Sequence, residues 1–112
     1  MTTEELMAQD FGTLSALIAA QGRDRPGHPA LVDGERTLDY AGLNSLMDRI
    51  AVALQRDGVG PHEAAAICAT TSLEYAAVFM GALRAGAAAA PLAPSSTADS
   101  LVMMLNDCGA KV

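Results

Sequence analysis

The stretch "LRAGAAAAPLAPSST", residues 83–97, decides the fold. Gly86 is placed to end a helix, because a glycine just past the last helical turn adopts the left-handed conformation freely. The run from Ala87 to Ala90 then predicts a short strand of small residues, which Pro91 and Pro94 are expected to end. Taken alone, the stretch is compatible with a cofactor loop, a membrane segment or a structural connection. The flanking residues therefore have to decide between them.

Before this stretch, the sequence predicts a strand and a helix. The segment "EAAAICAT" predicts a short buried strand, and Ser72 is placed to cap the helix "LEYAAVFMGALRAG". Glu74 lies in the first turn of that helix and Arg84 in its last, as the helix dipole favours. The helix is apolar nearly all round, so we expect it to be covered on more than one side.

After the stretch, Ser96 or Thr97 is placed to cap one more helix, which Gly109 ends. Lys111–Val112 begins a further apolar segment. The alternation of strand, helix, strand, helix and strand over residues 64–112 predicts a parallel sheet with right-handed crossovers. One face of the last helix is apolar and consists of Leu101, Met104, Leu105 and Cys108.

The N-terminal half predicts a short helix and a hairpin. Thr13 is placed to cap a helix, and a cluster of glycine and proline is expected to break it. Asp33-Gly34 predicts a two-residue hairpin turn with positive φ at both positions, between strands 30–32 and 36–38. The apolar residues of the helix are Leu14, Leu17 and Ile18, and the cluster that breaks it is Gly22, Pro26, Gly27 and Pro29.

A long amphipathic helix follows the hairpin. Asp39 is placed to cap it, and Gly58 and Pro61 to end it. Its apolar stripe is Leu43, Leu46, Met47, Ile50 and Leu54. The predicted fold class is therefore α/β, with an N-terminal hairpin and helices followed by a β-α-β-α-β parallel-sheet unit.

Composition and charge exclude several classes of function. The 112 residues carry a formal net charge of -6 with seven scattered Lys and Arg, which argues against a nucleic-acid partner. The acidic N-terminus is unlike a signal peptide, and the apolar runs fall short of the roughly 18 residues of a membrane span. We therefore expect a soluble, cytoplasmic protein, with Cys68 and Cys108 as reduced, buried thiols.

Candidate chemical sites have simpler structural interpretations. "GALRAGAA", residues 81–88, imitates half of a phosphate loop but has alanines where lysine and Ser/Thr are required. His28 and His62 lie in predicted loops without a second ligand at metal spacing. Ser95-Ser96-Thr97 could offer hydroxyls to a ligand or simply cap a helix.

The remaining candidates are helix-terminal carboxylates at Glu4, Glu5 and Asp99, and Met103-Met104, for which core filling is expected. From residue chemistry alone we assign no catalytic, cofactor-binding or metal-binding residue. The sequence predicts an α/β unit without an active site of its own.

Three segments together resemble the beginning of the adenylate-forming superfamily, which includes acyl- and aryl-CoA ligases and the adenylation domains of peptide synthetases. Residues 13–61 resemble its opening helix, hairpin and first core motif, in which a polar cap, Tyr and Leu begin a long helix. "TSLEYAAVFMGALRAGAAAAPLAP", residues 71–94, resembles the second core motif, with Leu-Arg-Ala-Gly and Pro-Leu-x-Pro. "LNDCGAKV", residues 105–112, resembles the segment that introduces the next strand.

The resemblance implies that residues 13–112 are the first part of a large N-terminal domain, truncated here, and that residues 1–12 are an N-terminal tail. It implies a parent enzyme that activates a small carboxylic acid with Mg-ATP to an acyl-adenylate and passes the acyl group to a thiol such as CoA. The lysines and phosphate loop of that reaction lie outside these residues. We therefore expect the chain alone to be inactive and its partner to be the remainder of its own domain.

The family pattern is not matched everywhere. Gly42 stands where the first motif usually has Glu, so Asp39 is expected to cap its helix without a capping box. Ala93 replaces the Asp usual in peptide synthetases, which favours an acid-CoA ligase, although Ala93-Pro94-Ser95 also lacks the arginine of many CoA ligases. Two alternatives stay open, namely the start of a peptide-synthetase adenylation domain and a free-standing interaction module that offers helix 72–85 to a partner.

Overall fold

The computed structural model describes residues 1–112 as five helices and four strands. None of the helices has the length and apolar character needed to cross a membrane. In chain order the elements are α1 (Thr3–Met7), α2 (Leu14–Asp24), β1 (Pro29–Asp33), β2 (Arg36–Asp39), α3 (Tyr40–Arg56), β3 (Ala64–Cys68), α4 (Leu73–Arg84), β4 (Ala88–Leu92) and α5 (Ala98–Cys108). The α/β architecture predicted from the sequence is confirmed.

Every helix begins at a residue whose side-chain oxygen accepts a hydrogen bond from the backbone N–H three positions on. This bond satisfies one of the N–H groups that the first turn leaves free. The caps predicted for α2, α3 and α4 are confirmed, and at α5 the cap is Thr97 rather than Ser96. The five cap residues are Thr2, Thr13, Asp39, Ser72 and Thr97.

The hairpin forms where the sequence predicted it, but its turn is displaced by one residue. Asp33 pairs with Arg36 across the antiparallel ladder, so the two-residue loop is Gly34-Glu35 rather than Asp33-Gly34. Gly34 has φ of 62°, and Glu35 is not among the residues with positive φ. A positive φ at the first loop position alone is found in type II′ turns, which need only one glycine.

β3 and β4 form a parallel pair, in register from Ala64 opposite Ala88 to Cys68 opposite Leu92. Beyond β3, the Lys111 N–H donates to the Ala64 carbonyl at 2.9 Å, and the Ala66 N–H donates to the Val112 carbonyl at 2.9 Å. The end of the chain thus lies against the free edge of β3, where the sequence placed the start of another strand.

Pro91 lies within β4 and does not end the strand as predicted. The Ala88 N–H donates to the Glu63 carbonyl, so the even-numbered residues of β4 bond to β3. In a parallel ladder alternate residues bond to opposite sides, so the nitrogen of Pro91 faces away from β3. No ladder bond is lost there, and the strand continues through the proline.

The helices pack closely because small residues lie at their contacts. An added Cβ at Gly81 of α4 would lie 2.6 Å from Ile50 Cγ2 of α3, so glycine permits this crossing. One core cluster joins α2, α3 and α4, and a second lies between the end of α3, α4 and the parallel strands. The first consists of Ile18, Leu43, Met47 and Ala77, and the second of Val59, Ala65, Ala82 and Ala87.

Several expectations about termini and faces are wrong. α2 continues through Gly22 to Asp24, where its last turns rest against α3 and Gly22 meets Asn44. The segment 1–12, expected as a tail, contains α1, which contacts α2. α4 contacts α2, α3 and three strands, so the second face on which the interaction-module alternative depended is covered.

The apolar face of α5 is poorly covered, since the helix contacts mainly β4 and has no buried residue. Met103 is 72% exposed, so the prediction that it fills the core is wrong. Leu105 is exposed as well, while Leu101 and Met104 are half-buried.

Candidate functional site

The carboxyl ends of β3 and β4 meet at one edge of the sheet, where ligands bind in many open α/β sheets. Hydroxyl-bearing residues follow both strands at this edge. The Cys68 thiol ends β3 and lies 3.9 Å from the Ala93 carbonyl just after β4. The hydroxyl residues are Thr70, Thr71 and Ser72 after β3, and Ser95, Ser96 and Thr97 after β4. This edge is the candidate site that the backbone geometry offers.

The charge at this edge is unfavourable for an anion. Glu74 and Asp99 occupy the first turns of α4 and α5, where the helix dipoles would otherwise attract an anionic group. The guanidinium of Arg36, on the hairpin, pairs with the Glu74 carboxylate and holds its pKa below the ordinary value. The Arg36 guanidinium is therefore already paired with a carboxylate.

Two of the hydroxyl residues act as caps. The Ser72 hydroxyl accepts from the Tyr75 N–H at 3.2 Å, and the Thr97 hydroxyl accepts from the Ser100 N–H at 3.2 Å. Of the two sequence interpretations of Ser95-Ser96-Thr97, helix capping is thus observed for Thr97.

The segment "GALRAGAA", residues 81–88, lies at the C-terminal end of a helix, whereas a phosphate site needs the N-terminal end. Gly81 is buried in α4, and Gly86, with φ of 81°, follows the C-terminus of that helix. A helix C-terminus presents carbonyl oxygens and the negative end of the dipole, whereas phosphate requires N–H groups. This segment therefore packs and ends a helix, as the structural interpretation held.

The two histidines lie apart in exposed loops, as predicted. His28 stacks on Tyr40 with ring centroids 6.0 Å apart, and its Nδ1 lies 3.0 Å from the Pro29 carbonyl. His62 has φ of 64° and donates its backbone N–H to the Gly86 carbonyl. No group of three or more His, Cys, Asp or Glu side chains is arranged to hold a metal ion.

The cysteines are unpaired, but the expectation that they are buried is wrong. Both Cys68 and Cys108 are exposed. Cys68 is the last residue of β3, and Cys108 the last of α5, so each side chain lies at an end that the rest of the chain leaves open.

Arg84 has a role that the sequence analysis did not find. The Arg84 side chain is 13% exposed, and its guanidinium joins three helices. Nε donates to the Ser15 hydroxyl of α2 at 2.8 Å, and Nη1 donates to the Asn44 carbonyl of α3 at 2.9 Å and to Asp48 Oδ1 at 3.0 Å. An arginine in a helix that is otherwise apolar nearly all round was the available signal, because a charge on such a helix needs buried partners.

A second polar cluster fixes the start of β3. The Glu63 carboxylate accepts from the Gly60 N–H at 2.7 Å and lies 3.3 Å from the Lys111 ammonium. The backbone hydrogen bond first, and Lys111 second, lower the pKa of Glu63. Like the Arg84 network, this cluster connects separate segments of the fold. Its cation, the Lys111 ammonium, is paired with the Glu63 carboxylate.

The chain matches one family model, and proteins similar to it in sequence and in fold are known. The protein-family model described as "AMP-binding enzyme" matches residues 18–112. The chain is 40% identical over 83 residues to the dimodular nonribosomal peptide synthase of Bacillus subtilis (strain 168), covering 74% of this chain and 4% of that protein. It is also 40% identical over 83 residues to surfactin synthase subunit 1 of the same organism, covering 74% of this chain and 2% of the relative.

The fold is found in solved structures as well. The fatty acid AMP ligase from Legionella pneumophila superposes with a TM-score of 0.84 at 20% identity, over 96% of this chain and 20% of that one. The chain therefore spans 2%, 4% and 20% of the lengths of these three proteins.

Proposed function

Because the chain belongs to the AMP-binding enzyme family, as an N-terminal segment of the adenylate-forming fold, we propose that it begins an adenylation domain of the peptide-synthetase type. The observation that carries this proposal is the 40% identity to the peptide synthase over 83 residues. Residues 13–112 would be the first part of the large domain, preceded by residues 1–12. The parent would activate a carboxylic acid with ATP and Mg²⁺ and pass it to a thiol.

An acid-CoA ligase is the second candidate, and Ala93 is the observation in its favour. Peptide synthetases usually have Asp at this position in the second core motif, whereas this chain has Ala. A single position weighs less than the matched 83 residues, so the order of preference differs from the one that the sequence alone suggested. CoA as the thiol acceptor belongs to this second candidate.

Within the parent, the proposed role of these residues is to support the domain rather than to perform chemistry. Arg36, Arg84 and Lys111 are engaged with carboxylates or carbonyls, and the sheet edge carries no unpaired cation. A triphosphate needs several cationic or N–H groups directed at it, and the residues present do not fit one. The partner that the chain needs is the remainder of its own domain, and the two unpaired cysteines fit a cytoplasmic location.

The test extends the polypeptide to the full proposed domain and measures exchange of pyrophosphate into ATP with two panels of acids. One panel contains amino acids, and the other contains fatty and aryl acids. Exchange restricted to amino acids supports the peptide-synthetase type, whereas exchange with the second panel followed by CoA thioester formation supports the ligase.

The 112-residue chain, with the same ATP, Mg²⁺ and acids, is the matched control. It is expected to release no pyrophosphate. Turnover by the chain alone would contradict the supporting role assigned to it.

A further inference from the structure

Two aspartates of this chain are followed directly by glycine, and both pairs are exposed. Asp33-Gly34 lies at the turn of the hairpin, and Asp57-Gly58 lies at the end of α3. An aspartyl side chain can react with the backbone nitrogen of the next residue, and glycine obstructs this approach least because it has no Cβ. The two pairs share the same intrinsic chemistry, so a difference in their reactivity has to come from the fold.

At the hairpin the reacting nitrogen is free. The last pair of the ladder joins Asp33 to Arg36, and the Gly34 N–H, beyond that pair, makes no hydrogen bond. Gly34 has φ of 62°, and nothing lies within 4 Å of the place that a Cβ would take there. The Gly34 nitrogen can therefore move toward the Asp33 carboxyl without losing a hydrogen bond of its own.

At the end of α3 the corresponding nitrogen is held in place. The Gly58 N–H donates to the Gln55 carbonyl at 3.1 Å, and the Val59 N–H donates to the Leu54 carbonyl at 3.0 Å. The Val59 side chain is buried in the second core cluster. To bring the Gly58 nitrogen onto the Asp57 carboxyl, the peptide between them has to rotate and the first of these bonds has to break.

We propose that Asp33 is a site of spontaneous covalent modification, at which the aspartyl residue converts to isoaspartyl through a succinimide, whereas the fold protects Asp57. The Gly34 nitrogen attacks Cγ of the protonated Asp33 carboxyl. A C–N bond forms and a C–O bond breaks, and the amide proton and the carboxyl hydroxyl leave as water.

Water then opens the five-membered ring at one of two bonds. Hydrolysis between the nitrogen and Cγ restores aspartate. Hydrolysis between the nitrogen and the backbone carbonyl carbon of Asp33 leaves Gly34 attached through the side chain, which is the isoaspartyl product. Water is the only co-reactant, and the product has the mass of the original chain.

The isoaspartyl product lengthens the hairpin loop by one main-chain carbon. Loop length fixes the register of a hairpin, so the pair between Asp33 and Arg36 would no longer close the ladder in the same way. The Arg36 guanidinium also pairs with the Glu74 carboxylate of α4. The modification would therefore alter the contact between the hairpin and the helices, whichever acid the parent enzyme activates.

The experiment incubates the folded 112-residue chain at neutral pH for several weeks, in parallel with the same chain unfolded in urea. A glutamate-specific protease then releases peptides 6–35 and 36–63, each with one Asp-Gly pair in its interior. The isomer elutes separately at unchanged mass, and electron-transfer fragmentation locates it. In the folded chain we expect about tenfold more isomer at Asp33 than at Asp57, because a hydrogen bond holds the Gly58 nitrogen. In urea the two positions should convert alike.

Two glutamate variants complete the test. Asp33→Glu is expected to remove the isomer from the hairpin, since a ring with one more carbon closes less readily. Asp57→Glu is the matched control and should leave conversion at Asp33 unchanged. Equal conversion at the two positions of the folded chain, or none at Asp33, would overturn the proposal. A difference of the same size in urea would also overturn it, because the sequence and not the fold would then be the cause.

Discussion

Arg84 shows how one side chain can organise this fold. Its four hydrogen bonds reach the Ser15 hydroxyl and carbonyl, the Asn44 carbonyl and the Asp48 carboxylate, while every other Lys and Arg of the chain is exposed. Guanidinium supplies donors in a fixed planar fork, so it can satisfy partners on two helices at once. A lysine could not reproduce this geometry.

Replacing Arg84 by Met should therefore destabilise the chain. The hydrogen bonds to a charged donor are lost and the Ser15 and Asn44 carbonyls lose a donor, for an expected cost of about 2–3 kcal/mol in the free energy of unfolding. Chemical denaturation followed by circular dichroism measures the difference. Arg84→Lys should recover less than half of it.

Arg49→Met is the matched control, because Arg49 is an exposed arginine on α3. This substitution should change the free energy of unfolding by no more than about 0.5 kcal/mol. Equal losses for the variants at positions 84 and 49 would show that the charge, and not the network, matters.

At the scale of elements, the crossing of α3 and α4 depends on Gly81. A methyl group at this position would lie 2.6 Å from Ile50 Cγ2 and 2.7 Å from Ile50 Cβ, too close for either helix to stay in place. Gly81→Ala should lower the free energy of unfolding by about 1–3 kcal/mol. Ile50→Val should not rescue it, because valine keeps both of the clashing atoms.

Gly12→Ala supplies the control for that prediction. A Cβ at Gly12 meets nothing within 4 Å, so the same added methyl is expected to be neutral or to stabilise by up to about 1 kcal/mol. If both alanine variants behaved alike, close helix contact would not be the reason for glycine at position 81.

α1 is attached to α2 through polar contacts that acid should release. The Thr3 N–H and hydroxyl both donate to Asp24 Oδ2 at 2.9 Å, and α1 has no buried residue. The backbone bond first, and the hydroxyl second, lower the pKa of Asp24, so this contribution is complete above the unfolded pKa of about 3.9 and is lost as the pH falls through the lower folded value. Hydrogen exchange of the Thr3 amide should accelerate there, relative to the general pH trend, before the core amides do.

Asp24→Asn should remove this pH dependence, because the amide cannot ionise. Exchange at Thr3 in the variant is expected to follow the general pH trend without the extra acceleration in acid, with core protection unchanged, because the amide oxygen can still accept but cannot be protonated in this range. Retention of acid-triggered release in the variant would assign the effect to another carboxylate.

The elements themselves were largely predictable, and the exceptions have physical causes. Helix starts were predictable at Thr13, Asp39 and Ser72, because capping is a local interaction between a side chain and the next turn. The turn at Gly34-Glu35 and the continuation of β4 through Pro91 could not be read locally, since both depend on which partner strand each residue faces. The Arg84 network, which joins residues up to 69 positions apart, needed the tertiary structure.

For the candidate site, the sequence foresaw the loop position of the histidines and the structural role of "GALRAGAA" because these follow from helix boundaries. It did not foresee the exposure of Cys68, Cys108 and Met103. Periodicity shows which face of an element is apolar, but it does not say whether anything covers that face.

For the whole molecule, few residues are fully buried. The radius of gyration is 15.3 Å, against about 13 Å for a compact domain of this length, and 14 of 112 residues are buried. The uncovered apolar residues of α5 agree with the proposal that the chain packs against the remainder of a larger domain.

Two methionines test this distribution with the same substitution. Met47→Ala, at a fully buried position, should cost about 2–5 kcal/mol, whereas Met103→Ala, at a position 72% exposed, should cost no more than about 0.5 kcal/mol. In the extended polypeptide, the cost of Met103→Ala should rise above about 1 kcal/mol as α5 is covered. An unchanged cost would mean that this face stays open in the larger domain.

Pro91 makes the two edges of the β3–β4 sheet unequal as sites for adding a strand. With no N–H on the outer side of β4 at this point, that side is a poor template for another chain, and intermolecular strand pairing and fibril formation are discouraged there. The opposite margin, along β3, already accepts the last two residues. Addition of a further strand is therefore favoured along the β3 margin over the β4 margin.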